Sequence, residues 1–427
     1  MTAAAGAPRQ RVLGFWSLLT LGINGIVGVG IFFAPGPLAR TAPGPASALA
    51  FVLTGLLLLP VAWTYGRLGS AYPEDGGPYV WARVALGERF AFGVGFVAFA
   101  SAVLSTAAVV SGLGQFLAPE LGFDTPASRW GFQAGAALLF STVTVLGLRL
   151  SARVWSALTV LKLLPLALLV GVGASQALSH APAPLGPWSG AGVGRAALLA
   201  VFPLQGFEIV PVPGGEVRGG PRTVLRATLL SLAFAVVLYV LLQLACLQAL
   251  PALESSTAPI VEAGAYYTRG AWRGLFAAGA NISACGIAFG MFAMTPRYLA
   301  ALGTDSLLGA ELARERRGVP TRSLLVTTLA VLLLVSSSTL GGLFVLSSLA
   351  VLLQYAVSAA SLFRLAARGE RGLGKLDLLL APCTLLAIAA LAQAALAAEL
   401  LILGGILAGG FLLLALRRAL ARRQAAR

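Results

Sequence analysis

The stretch Gly22-Ile23-Asn24-Gly25-Ile26-Val27-Gly28-Val29-Gly30-Ile31-Phe32, followed by Ala34-Pro35-Gly36-Pro37, lies in the middle of an apolar run long enough to cross a membrane. Glycine in a helix interior costs about 1 kcal/mol relative to alanine. Four glycines fall within nine residues here, so the spacing predicts a helix that unwinds midway. Hydrocarbon does not tolerate the freed N–H and C=O groups unless they line a protein cavity. A glycine run also resembles a phosphate-binding loop, but no strand–turn–helix unit surrounds this one.

A second interruption reads Phe202-Pro203-Leu204-Gln205-Gly206-Phe207-Glu208, followed by Pro211, Pro213, Gly214 and Gly215. Pro203 removes a backbone donor, and Gly206 loosens the next turn. Glu208 places a carboxylate at the break. An acidic group at that depth is costly unless paired or protonated, so it marks a functional site by default.

Composition frames both stretches. Of 427 residues, 58% are hydrophobic and only 11% are charged, against about 25% charged in a soluble domain. That excludes a soluble enzyme, and the hydrophobicity excludes a disordered chain. The net charge is +15, with two lysines, Lys162 and Lys375, among 30 basic residues. Those residues sit singly or in small groups between apolar runs, the pattern of a polytopic membrane protein and not of a nucleic-acid binder. Gly, at 51 residues, suits close helix approach in a membrane. Cys246, Cys285 and Cys383 lie inside apolar runs with no metal-ligand or disulfide spacing. His180, the one histidine, falls in a loop rich in Pro and Gly. No metal site, cofactor site or catalytic constellation is expected.

A spanning helix needs about 20 apolar residues. Twelve such stretches are expected, at roughly 12–39, 46–70, 86–117, 130–148, 153–175, 193–217, 224–250, 272–300, 323–340, 343–365, 377–396 and 399–416. With the N-terminus placed in the cytoplasm and the segments alternated, 24 basic residues fall inside and five outside (Arg40, Arg129, Arg195, Arg269, Arg273). That split follows the positive-inside rule. Lys162 alone remains within a span.

The two breaks therefore fall in the first and sixth spans, as expected for a five-plus-five inverted repeat. In that arrangement half-helix N-termini face an anionic substrate group, and unwound carbonyls face a cation. Either break alone also fits a kinked packing motif; the matched pair favours a binding site. A carboxylate and an ammonium close together describe an α-amino acid. Glu208 and Lys162 are the only ionisable groups deep in the first ten spans, so a neutral side chain is favoured. Lys162 lies nine residues past Arg153, about 14 Å deeper along its helix. Its ammonium needs acceptors, and the carbonyls around Ile23, Asn24 and Gly25 are expected to supply them, in the place a Na⁺ would take in a sodium-coupled carrier. An amine that sheds its proton in one conformation would couple transport to H⁺; the alternative is a permanently charged clamp on the first span.

The chain resembles the amino acid–polyamine–organocation transporter superfamily over most of spans one to ten. The resemblance rests on Gly25–Phe32 (GIVGVGIF), Tyr72–Gly87 (YPEDGGPYVWARVALG), Leu158–Leu166 (LTVLKLLPL), Phe202–Glu208 running on to Gly215-Glu216-Val217 and Pro221-Arg222, and Pro296-Arg297-Tyr298 ahead of Gly318-Val319-Pro320. It implies a leucine-transporter-type all-α fold, with ten core helices, two peripheral ones and alternating access. It implies a substrate carboxylate held by backbone at Val27, Gly28, Val29 and Gly30, and an amine near the carbonyls of Ile23 and of Phe202 to Gln205. Phe202 would be a gating or stacking aromatic, Gln205 and Gly206 part of the site, and Lys162 the basic residue of sodium-independent members. Gly219-Gly220 and Asp305-Ser306-Leu307-Leu308-Gly309 depart from the family pattern, on the cytoplasmic side.

The expected organisation is a cytoplasmic N-terminus over 1–11, a core over 12–367 with repeats at about 12–178 and 193–367, two peripheral helices over 376–416, and a basic cytoplasmic tail over 417–427. Residues 73 to 90 read as a cytoplasmic hairpin or an interfacial helix, either part of an inner gate or a solvated face. The seven tryptophans mostly read as interface anchors, and Gly286 and Gly290 as helix-packing positions. The reading is a sodium-independent inner-membrane amino acid permease, working by proton symport or amino acid exchange, with substrate, H⁺ and membrane lipids as partners and no nucleic acid. The rivals are a cationic amino acid or polyamine carrier, and a nutrient sensor on a transporter scaffold. The short tails, about eleven and ten residues, disfavour the sensor; a membrane enzyme would need catalytic side chains converging near one face.

Overall fold

The computed structural model describes residues 13–72, 77–146, 152–177, 189–211, 217–218, 220–304, 308–316 and 318–425. His180, Trp188, Pro213, Gly214, Gly215, Gly219 and Asp305 lie outside them.

The described chain is almost entirely helical. In order come α1 (Phe15–Ile26), α2 (Val29–Phe33), α3 (Pro35–Thr41), α4 (Ala46–Ala71), α5 (Pro78–Leu86), α6 (Glu88–Glu120), α7 (Pro126–Val145) and α8 (Ala152–Ala177). After them come α9 (Gly190–Leu204), α10 (Pro221–Ala249), α11 (Pro259–Tyr267), α12 (Arg273–Thr304), α13 (Thr321–Ser337), α14 (Leu340–Ala367), α15 (Lys375–Ala392) and α16 (Ala397–Ala425). One short hairpin pairs β1 (Glu315–Arg316) with β2 (Val319–Pro320), antiparallel.

Helix starts follow local chemistry. Pro126, Pro221 and Pro259 open α7, α10 and α11, where a missing N–H costs nothing. Thr125 caps α7 reciprocally with Ser128: each backbone N–H donates to the other's hydroxyl at 3.1 Å.

Among the described residues, eight helical stretches are long and apolar enough to cross a membrane, and Val160–Gln176 and Thr321–Ser337 are shorter apolar helices. The chain is a multi-pass membrane protein. Of the expected twelve spans, eight correspond to these long stretches; α8 and α13 carry the two shorter ones, and α7 and α9 match neither, for visible reasons. Helix α9 stops at Leu204, cut by the second break. Helix α7 carries Arg129, Gln133, Gly131 and Gly135, which dilute its apolar character.

Helix α4 packs along α10, and α6 along α12 and α14. Helix α15 is tied to α4 by Asp377, which accepts from Arg67 Nε at 2.8 Å, Arg67 Nη2 at 2.7 Å and Trp63 Nε1 at 2.9 Å. Helix α16 is tied to α9 by a paired Arg195–Glu399 contact. The segment before α1 meets the segment after the second break, where Arg218 N donates to Leu13 O at 2.8 Å.

Two packing expectations need correction. A Cβ at Gly286 would meet nothing within 4 Å; the close approach of α12 is made by Gly279, against Pro165 of α8. Trp16, Trp130 and Trp272 are exposed as anchors should be, but Trp81 is only 2% exposed and belongs to an aromatic cluster described below. Trp63 spends its N–H on Asp377.

Candidate functional site

Helix α1 makes its last regular bond from Val27 N to Ile23 O, at 2.8 Å. Gly28 then turns extended, with φ −119° and ψ −160°, and α2 starts at Val29. A continuous helix would bond the Gly28, Val29 and Gly30 amides to the Asn24, Gly25 and Ile26 carbonyls. The break frees both sets. Two of the carbonyls are met from other helices. Lys162 Nζ on α8 donates to Asn24 O at 2.9 Å, and the lysine is 4% exposed. Tyr239 Oη on α10 donates to Ile26 O at 2.8 Å. The amides of Val29 and Gly30 head α2 with no helical acceptor behind them, and that of Gly28 meets the Tyr239 hydroxyl.

The break after α9 is closed from within. Gln205 N reaches Phe202 O at 3.3 Å, and Gly206 adopts φ +120°, ψ −19°. A 3₁₀ turn over Phe207–Ile209 follows. The Glu208 carboxylate folds back, and its Oε2 accepts from Gly206 N at 2.7 Å and from Tyr355 Oη of α14 at 3.2 Å. Gln205 Nε2 is buried with no hydrogen-bond partner.

The breaks touch. A Cβ on Gly206 would lie 2.3 Å from both C and O of Gly25, and one on Gly30 would lie 2.8 Å from Pro203 Cα. Ile287 of α12 occupies the space over Gly28, its Cδ1 2.5 Å from where a Cβ would be. On one side of the paired breaks Phe202 stacks on Phe344 of α14, ring centroids 4.1 Å apart. On the other, Tyr65 packs edge-on against Trp81, Phe207 and Tyr355 at 5.2, 6.2 and 5.3 Å. Tyr65 Oη in turn accepts from Gln354 Nε2 at 2.9 Å.

All the residues expected at the site are placed around this crossing: Ile23, Val27, Gly28, Val29 and Gly30 along the first break, Phe202, Gln205, Gly206 and Glu208 along the second, and Lys162 behind the first. The Ile23 carbonyl remains inside α1, while those of Asn24 and Ile26 take outside donors. Sequence reasoning missed Tyr239, Ile287, Phe344 and Tyr355. The two tyrosines carried a signal, as hydroxyls deep in apolar spans; Ile287 and Phe344 carried none. Among the described residues no cluster of His, Cys, Asp and Glu is arranged to hold a metal ion.

Geometrically, this is a crossing of two helix breaks rich in main-chain donors and acceptors, with one lysine and one carboxylate hydrogen-bonded to the broken backbone. Comparison with known proteins places the chain among transporters. Over 314 residues the chain is 27% identical to a methylthioribose transporter of Bacillus subtilis, covering 70% of this chain and 68% of that one. It is 30% identical over 248 residues to the branched-chain amino acid permease BcaP of the same organism, covering 54% and 53%. It is 27% identical over 382 residues to human cationic amino acid transporter 4, covering 83% and 59%. The matched stretches thus span between about half and two thirds of these relatives. The profile of the amino acid permease family matches residues 13–405, which is nearly the whole chain, and the protein belongs to that family, within the amino acid–polyamine–organocation superfamily.

Proposed function

We propose that this protein is a secondary active transporter that moves a neutral amino acid across the inner membrane by alternating access, without sodium, by proton symport or amino acid exchange. The observation that carries the reading is the contact between two helix breaks whose freed main-chain groups lie together, with Lys162 Nζ on Asn24 O. An amine placed there substitutes for a coupling cation. The amides of Gly28, Val29 and Gly30 suit a substrate carboxylate, and carbonyls near Ile23 and Phe202 to Gln205 suit its amine. The buried Gln205 Nε2 is a spare donor beside that position.

Counting α7 and α9 with the ten apolar helices brings the spans to twelve, ten in an inverted-repeat core over 12–367 and two peripheral. Both termini lie in the cytoplasm in this reading, with 24 of the basic residues on that side. The Phe202–Phe344 stack closes the outer route, and Glu208 with Tyr355 and the Tyr65 aromatic cluster closes the inner one.

The names of two relatives point elsewhere, to a cationic amino acid transporter and a methylthioribose transporter. A cationic side chain would need a free carboxylate. Glu208 is engaged by Gly206 and Tyr355, so the neutral substrate is preferred. The test is uptake by purified protein in liposomes, with a panel of labelled amino acids and methylthioribose, with and without a pH gradient and with and without preloaded amino acid. Saturable uptake of a neutral amino acid, unaffected by Na⁺, is expected. Uptake of methylthioribose or cationic amino acids alone would replace the substrate assignment, and no amino acid uptake under any condition would overturn the function.

A further inference from the structure

A groove of about 430 Å³ runs between α6, α7 and α12, away from both helix breaks. It is lined by apolar side chains and two glycines, among them Leu117, Phe123, Gly131, Gly135, Leu139 and Phe140. A Cβ at Gly131 or at Gly135 would meet nothing within 4 Å, so the α7 side of the groove is an open trough. Leu139 is 59% exposed, and with α7 counted as a span, as proposed above, that exposure faces the bilayer. From Gly131 to Phe140 the trough is about 14 Å long.

One end of the trough is marked by a cation. Arg129 Nε donates to Phe123 O, at 3.3 Å, and Phe123 itself lines the groove. That bond fixes the guanidinium at the rim and leaves its terminal amino groups for another acceptor. Arg129 forms no ion pair among the described residues. Asp124 of the same loop is exposed and does not pair with it, and Glu120 accepts instead from Asn281 Nδ2 at 3.0 Å. Trp130, next in sequence and half exposed, is the residue type that settles at the headgroup level.

We propose that this groove binds one acyl chain of an anionic phospholipid, whose phosphate is held by Arg129. An apolar slot long enough for the headgroup-proximal part of an acyl chain, ending at a guanidinium with no ion-pair partner among the described residues, matches that ligand at both ends; a forked guanidinium suits a phosphate over a neutral headgroup. Neither a second protein helix nor a detergent tail would call on Arg129.

The experiment combines two readouts. The full-length protein is reconstituted in equimolar phosphatidylglycerol and phosphatidylcholine, and retained lipid is measured by native mass spectrometry. In parallel, phosphatidylglycerol with a diazirine on its acyl chain is photo-crosslinked to the wild-type protein, and the labelled peptides are mapped. Preferential retention of phosphatidylglycerol is expected, with crosslinks concentrated on the peptide carrying Gly131 to Phe140. Arg129→Ala should cut the preference about tenfold, the scale of one charge-assisted hydrogen bond. Gly135→Leu, which fills the trough, should remove retention of both lipids. Crosslinks spread evenly over the membrane-facing helices would overturn the proposal, as would an unchanged preference in Arg129→Ala. If Gly135→Leu does not fold, the wild-type crosslinking map alone decides.

Discussion

The two helix breaks solve one problem in opposite ways. At the first, the freed carbonyls are satisfied from outside, by Lys162 on α8 and Tyr239 on α10. Gly28 itself sits in extended backbone that any residue adopts. At the second, the satisfying group is two residues away in the same chain, the Glu208 carboxylate on Gly206 N. Gly206 holds φ +120°, where side chains are strained, and presses against the backbone of Gly25. The first break is therefore specified by its neighbours, and the second largely by its own residues. Mutations should report that asymmetry.

Gly206→Ala should have the largest effect. The added methyl meets backbone atoms 2.3 Å away and cannot push them aside. The positive φ adds about 1–2 kcal/mol of strain. Loss of all uptake is expected, together with a drop in melting temperature in detergent. An active, stable Gly206→Ala protein would mean that the breaks do not touch.

Lys162→Ala comes next. It removes the donor on Asn24 O and leaves a buried carbonyl unpaired, at a cost of about 1–3 kcal/mol. Under the proposed function it should also abolish stimulation of uptake by a pH gradient. Glu208→Gln is the matching change at the second break. It keeps a carbonyl oxygen that can accept from Gly206 N, so uptake should fall less than in Lys162→Ala. Proteoliposomes carrying each variant make the comparison. Unchanged, still proton-dependent uptake by Lys162→Ala would end the coupling role and leave the lysine as a clamp at most.

The breaks were readable from sequence because their causes are local. Gly22 to Gly30 and Pro203 to Gly206 carry the backbone weakness in their own composition, and Lys162 stands out as a charge with no route to water. The multi-pass class was readable for the same reason, since an apolar run needs no partner to be recognised. What closes the breaks was less visible. Tyr239 lies 213 residues from the carbonyl it meets, and Tyr355 lies 147 residues from Glu208. Such pairings arise from how helices cross, and helical periodicity says which face is apolar, not which residue it will meet. The same limit explains Gly286, read as a packing position although Gly279 makes the contact, and Trp81, read as an anchor although it is buried against Tyr65.

Gly28→Ala should be milder than Gly206→Ala, because its methyl meets the far end of a flexible side chain, Ile287 Cδ1. Ile287 can change rotamer, at a cost of about 1 kcal/mol when forced off a staggered position. Partial loss of uptake is expected, and Gly28→Ala combined with Ile287→Val should recover much of it. Additive losses in the double variant would show that Ile287 does not cover Gly28.

Tyr239→Phe should have the smallest effect, and its size is informative. It deletes one hydroxyl and leaves the ring, which packs edge-on against Phe51 with centroids 5.5 Å apart. The Ile26 carbonyl then loses its donor, at the low end of the about 1–3 kcal/mol for a buried acceptor left unpaired, because the donor removed is neutral and not charged. If the first break is held jointly from outside, Tyr239→Phe and Lys162→Ala act on carbonyls two residues apart and should couple in a double-mutant cycle of melting temperatures. Tyr239→Phe paired with Glu208→Gln, one at each break, should come closer to additivity. Equal coupling in both pairs would mean that the two breaks open and close as one unit, and the contrast between a neighbour-held and a self-held break would lose its energetic meaning.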